Sequence, residues 1–152
     1  MSEFEYTGTD TLENLKIAVN YNNALTSLVV KNSKLGKTLD FGAGIGTFSD
    51  KLRDSLAPIC LEIDQSQAKV LESKNYNVVN KVDANTYDYI YSLNVLEHIE
   101  NDKEEIIKLF AGLKPDGKVF IFVPAFNFLF SSLDKKVGHF RRYNKKMMKE
   151  LV

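Results

Sequence analysis

Long apolar runs are missing from these 152 residues, so the sequence offers no transmembrane span. The N-terminus carries Glu3 and Glu5 and lacks a basic stretch followed by an apolar one, so no secretory signal is read and a cytoplasmic protein is expected. Cysteine is nearly absent. Cys60 alone cannot form an internal disulfide, and its place in an apolar run makes it a small buried side chain sooner than a nucleophile. No His/Cys cluster stands at metal-ligand spacing, so nothing in the pattern calls for a metal. An excess of one charge is lacking too: 20 basic and 20 acidic residues give a net +0, which argues against a general nucleic-acid binder. With 44% hydrophobic and 26% charged residues, the composition suits one globular domain, residues 1–152, able to bury a real core. Repeats and low-complexity tracts are absent as well.

What is present is organised around K-T-L-D-F-G-A-G-I-G-T-F, Lys37 to Phe48. Leu39, Asp40 and Phe41 read as the end of a buried strand, Gly42, Gly44 and Gly46 as a turn, and Phe48, Leu52 and Leu56 as one face of a helix that stops before Pro58. Glycine permits positive φ and carries no Cβ, so such a turn can lie close to a flat polar ligand, and the next helix aims its free N–H groups at the same place. A dinucleotide fingerprint needs its third glycine at position 47, where this chain has Thr47.

The chain in order supplies the rest of the architecture. A helix is expected over residues 11–31, with a polar middle, Asn20 to Asn23, that is either solvated or turns Tyr21 or Asn22 toward a ligand. Ile59 to Ile63 forms a second strand interrupted by Glu62, and Asp64 is placed to cap the helix containing Ala68, Val70 and Leu71. Val78 and Val79 make a brief third strand before Asp83 and Ala84. Tyr87 to Glu100 begins with strand-like alternation and changes to polar groups at Asn94, Glu97 and His98. Asp102 is expected to cap a helix from Lys103 to Leu113. L-K-P-D-G-K then gives a stop and turn, and Val119 to Val123 the fifth strand. Strands alternating with helices imply a parallel, doubly wound α/β sheet, whose ligand lies outside the carboxyl ends of the strands. The tail after Pro124 holds Phe126, Phe128 and Phe130, expected to cover the sheet edge or line an apolar pocket. From Asp134 to Val152 it has seven Lys or Arg against two acidic residues, and Lys145, Lys146 and Lys149 suit a solvated helix face.

The G-x-G-x-G spacing after Asp40 resembles motif I of the class I S-adenosylmethionine (SAM)-dependent methyltransferases. L-E-I-D, Leu61 to Asp64, resembles the family's ribose-binding strand end, and Asp88 to Ile99 is similar to its D-x-x-x-x-x-x-V-L-E-H-I stretch. The resemblance implies a Rossmann-like fold, SAM as cofactor and methyl transfer. It implies cofactor contacts from Asp40, Gly42, Ala43, Gly44, Gly46, Glu62, Ile63, Asp83, Ala84, Asn94 and Leu96. Asp83 stands after a shortened connection, so an adenine contact and a plain turn residue both remain open. G-H-F-R-R-Y, Gly138 to Tyr143, resembles a segment of bacterial methyltransferases linked with sugar or lipid modification, which points to a small acceptor, anionic or lipid-linked. His98, His139 and Tyr143 are the candidate catalytic residues, and Arg141, Arg142 and Phe126 the candidate acceptor contacts, with one arginine meeting the acceptor and the other an acid of the domain. Set against the family's seven strands, the chain lacks the C-terminal strand pair, so a truncated or short member is expected. An NAD-dependent oxidoreductase and an inactive SAM-binding module stay as alternatives.

Overall fold

The computed structural model describes residues 18–152. The helix expected from residue 11 is seen as α1, Val19–Asn32, and its earlier part lies outside the described residues. There follow β1 (Thr38–Phe41), α2 (Thr47–Leu56), β2 (Ile59–Leu61), α3 (Gln65–Ser73), β3 (Val78–Val79), β4 (Tyr87–Leu93), a 3-10 turn at Leu96–His98, α4 (Asp102–Gly112) and β5 (Leu113–Phe122). Beyond the sheet come a 3-10 turn at Asn127–Leu129, α5 (Ser132–Lys136) and α6 (Lys145–Leu151).

The strands form one sheet in the order β3-β2-β1-β4-β5, every pair parallel. Period-2 alternation divides the core between its faces. Leu39, Phe41 and Ile90 pack with Ile106 and Leu109 of α4 and with Met147 and Met148 of α6. Tyr89, Tyr91 and Leu93 pack on the other face against Leu25 and Val29 of α1 and Phe48 and Leu52 of α2. Helices on both sides of an all-parallel sheet are the doubly wound arrangement the alternation implies. The order reverses between β1 and β4, so the chain leaves these neighbouring strands in opposite directions and opens a crevice at their carboxyl ends.

Three local expectations need correction. The K-P-D-G segment does not precede β5 but bulges out of it. Tyr87 pairs with Leu113 and Tyr89 with Lys118, so the intervening residues leave the ladder while the strand continues. The excursion lets Lys114 Nζ reach Asp88 Oδ2 at 2.7 Å. Asp102 opens α4 without capping it, because the N-cap is Asn101 and the Asp102 carboxylate is turned to Tyr143 and Arg141. Finally, Phe126 and Phe128 do not bury themselves over the sheet. They are 56% and 82% exposed and touch each other with ring centroids 5.6 Å apart.

Candidate functional site

At the end of β1, Gly42, Gly44 and Gly46 all adopt left-handed φ, of 76°, 58° and 86°. A Cβ on Gly42 would come within 2.6 Å of Val95 Cγ2, so the turn can lie against the loop after β4 only as glycine. The Gly42 and Ala43 amides both donate to the Leu61 carbonyl at 3.0 Å, which ties the turn to the end of β2. Ala43 itself packs inward with Cys60 and Leu71, so it offers the crevice backbone rather than side chain. Asp40 lies behind the turn, 4% exposed, where it accepts a short hydrogen bond from the Ser49 hydroxyl of α2. Burial pushes this carboxyl up to about 7, against the lowering effect of Ser49.

Glu62, at the end of β2, holds the turn from the other side. Its Oε2 accepts from the Gly44 amide at 2.8 Å, and its Oε1 accepts from the Ile63 and Asp64 amides at 2.9 Å each. Burial still raises its pKa, although the three amides oppose the shift. Asp64 caps α3 as its sequence position implies, accepting from Ser66 and Gln67. A pocket of ≈ 520 Å³ runs from Glu62 and Ile63 past Val79 to Asp83. The lining matches an adenosyl group: carboxylates at two ends for ribose hydroxyls and an exocyclic amine, and apolar Ile63 and Val79 for a ring. Asp83 therefore shares a pocket with Glu62, while Ala84 beside it is exposed and is not among the lining residues.

Across the crevice, Asn94 follows β4 with φ 55° and donates from Nδ2 to the Tyr21 hydroxyl of α1 at 3.1 Å. Of the two α1 candidates, Tyr21 is at the strand ends and Asn22 is fully buried. Leu96 and Tyr143 are misplaced by sequence reading. Leu96 is 0% exposed in the core, and Tyr143 is 2% exposed with its hydroxyl donating to the Leu96 carbonyl and Asp102 Oδ2, at 3.0 and 2.8 Å. Burial pushes the Tyr143 phenol well above its ordinary range, so it is a structural pin and not a general base. Arg141 donates to the Ile99 and Glu100 carbonyls and pairs with Asp102 at 2.8 Å. Arg142 forms a two-pronged pair with Asp134, at 2.8 and 3.0 Å. Both arginines thus meet acids of the domain, and the expectation that one reaches out to an acceptor is overturned.

The two histidines, 41 positions apart in sequence, meet edge to face with ring centroids 4.5 Å apart. His139 Nδ1 lies 2.9 Å from Asp134 Oδ1, the carboxylate that also takes Arg142. Burial, with His139 beside it, brings His98 down to about 4, so its ring is neutral at ordinary pH. Against them lies Glu97, which sequence reading passed over although an acid within V-L-E-H-I was the available signal. It is 0% exposed, and neither carboxylate oxygen has a hydrogen-bond partner beyond its own backbone. Burial pushes it up to about 8.

Comparison with known proteins follows from this geometry. A family model described as a methyltransferase domain matches residues 15–149. The chain belongs to this methyltransferase family. Membership names SAM as the cofactor and methyl transfer as the class of chemistry, which sets aside the NAD-dependent oxidoreductase. No curated protein matches the sequence. Among solved structures, the methyltransferase is similar to Haemonchus contortus phosphoethanolamine N-methyltransferase 2 in complex with SAM, at 20% identity and TM-score 0.66 over 87% of this chain and 35% of that one. It is also similar to a SAM-dependent methyltransferase of Thermotoga maritima, at 14% identity and TM-score 0.76 over 95% and 75%. At these identities the likeness establishes the class I fold. The chain spans about a third of the length of the Haemonchus enzyme. Among the described residues, no helix is long and apolar enough to cross a membrane.

Proposed function

We propose that residues 1–152 act as a single domain in the cytoplasm that binds SAM and methylates a small acceptor, sugar- or lipid-linked. The observation carrying this reading is the adjacency of β1 and β4. It sets the glycine turn, braced by Glu62, across one crevice from the polar block after β4. Bound there, SAM would supply an electrophilic methyl carbon on a sulfonium. Glu62 and Asp83 would hold the adenosyl end, with Ile63 and Val79 against the base, and the turn at Gly42 to Gly46 would leave room for the rest. The protein's remaining task is to orient the acceptor and remove its proton. His139 is the side chain suited to that proton, because Asp134 fixes one ring nitrogen and leaves the other to act, whereas His98 is too weakly basic. The exposed Phe126 and Phe128 give an apolar wall that suits a lipid-linked acceptor. Support for a small acceptor also comes from a Haemonchus homologue seen with phosphomonomethylethanolamine and S-adenosylhomocysteine.

Calorimetry with SAM and NAD, followed by turnover of radiolabelled SAM on a panel of phosphoamines, sugars and lipid-linked sugars, tests the reading. SAM binding with methyl incorporation into one class supports it. Binding without any incorporation leaves the inactive module, and NAD binding alone would overturn it.

A further inference from the structure

A carboxylate removed from water without partners is costly to keep, and the cost falls only if the carboxyl stays protonated or meets a cation. Glu97 is such a group, and it does not stand alone. Its carboxylate, a ring nitrogen of His98 and a ring nitrogen of His139 all lie within 4.8 Å of one another. Ligands placed about 2.1 Å from a common ion can be separated by at most about 4.2 Å, so small side-chain rotations would gather these three around one centre. We propose that Glu97, His98 and His139 form a binding site for a divalent first-row transition ion.

The surroundings are those of a built site. The Phe140 amide donates to the Glu97 carbonyl at 2.8 Å, which fixes the segment carrying His139 onto the turn carrying Glu97 and His98. Gly138, at φ 82°, makes the bend between them, and a Cβ there would meet His98 Nδ1 at 3.8 Å. Each imidazole has an orienting partner. His98 is hydrogen-bonded with the Gly138 backbone, and His139 Nδ1 with Asp134, which is itself locked by Arg142 and by the Ser131 amide and hydroxyl. Metal-bound histidines characteristically have the second ring nitrogen engaged by a carboxylate or carbonyl in this way. Two imidazoles and one carboxylate, with further positions left for water or substrate, suit zinc, iron(II), manganese(II) or cobalt(II) better than magnesium or calcium, which favour all-oxygen sets. The arrangement also accounts for G-H-F-R-R-Y: Gly138 bends, His139 binds, and Arg142 holds the acid that orients His139. An ion here would bind an acceptor oxygen and lower the pKa of its proton, in the part of the crevice where the methyl group is to be received. The site does not depend on the cofactor reading, since its ligands take no part in holding SAM.

Cobalt(II) titration of untagged, chelator-treated full-length protein tests this, followed by visible absorption and competed with zinc and magnesium. One equivalent of cobalt should develop ligand-field bands, zinc should abolish them, and magnesium should not. Glu97→Gln should weaken cobalt binding by at least about tenfold while keeping wild-type circular dichroism, because it replaces an unpartnered carboxylate by a neutral isostere. Asp134→Asn should weaken it by a smaller factor. No saturable one-to-one signal in the wild-type protein would overturn the proposal, as would a folded Glu97→Gln protein that binds cobalt like wild type. SAM calorimetry on the same samples keeps a failure here distinct from a failure of the cofactor assignment.

Discussion

The two walls of the crevice are constructed on opposite plans. On the β1–β2 side, polar groups are satisfied largely by backbone amides of the adjoining turns, as with Glu62 and the amides of Gly44, Ile63 and Asp64. On the β4 side, the tail is held by side chains reaching across the fold, as with Arg141 to the Ile99 carbonyl and Tyr143 to the Leu96 carbonyl, and one carboxylate, Glu97, is left without a partner. The first wall is a shape made by the main chain. The second is a network that depends on which side chains are present.

If that contrast holds, backbone changes should damage the first wall most. Gly44→Val places a β-branched residue at φ 58° and disturbs the amide that feeds Glu62, so SAM binding should vanish from calorimetric titrations while far-ultraviolet circular dichroism persists. Wild-type affinity in that folded variant would remove the glycine turn from the cofactor site. The next effect is on stability. Asp40 is protonated in folded and unfolded chains below pH 3.8, and between there and about 7 only the unfolded chain releases the proton. Stability should therefore fall as pH rises through this window, by on the order of 4 kcal/mol in total. Asp40→Asn, which keeps an oxygen for Ser49, should flatten that part of the denaturation profile. An unchanged pH slope would mean that Asp40 is ionised in its buried position.

A smaller effect is expected at Glu62. Removing a charged acceptor of about 1.5 to 3 kcal/mol per bond should weaken SAM roughly tenfold or more in Glu62→Ala. Glu62→Gln should do little better, since the carboxylate uses both oxygens for amide protons and an amide side chain would set its own N–H against one of them. Full rescue by Gln would show that the ribose, not the turn, is what Glu62 serves. The smallest effect should come from the other wall. Arg142→Gln releases Asp134 and should lower the thermal midpoint and methyl transfer, yet leave SAM affinity within about twofold, or ~0.4 kcal/mol. A large loss of SAM affinity there would erase the distinction between the walls.

The same contrast explains what could be read from sequence. Glycine spacing, an acid at a strand end and the apolar alternation of β1 and β4 are local patterns with local causes, and they led to the sheet, the crevice and Glu62. The fates of Arg141, Arg142 and Tyr143 rest on partners brought up by folding, so residue type suggested an outward clamp where the structure has internal ties. The histidine pair was visible as two residues but not as neighbours, and no spacing rule connects His98 with His139. Pro115, Asp116 and Gly117 gave a true turn signal, but a turn between elements and a bulge within a strand share that chemistry. Leu96 was assigned by its place in a motif, where burial was the missing information.

The chain's single thiol has one further use. Cys60 sits at 0% exposure beneath the glycine turn, packed with Ala43 and Leu71, and burial pushes its pKa to about 12. A thiol reagent can therefore reach it only when the floor of the crevice comes apart, so labelling becomes a clock for that opening. Any ligand that binds only the closed form slows the clock by a factor of one plus its concentration over its dissociation constant. Cofactor and acceptor affinities could then be timed in unmodified protein, without turnover and without an added probe.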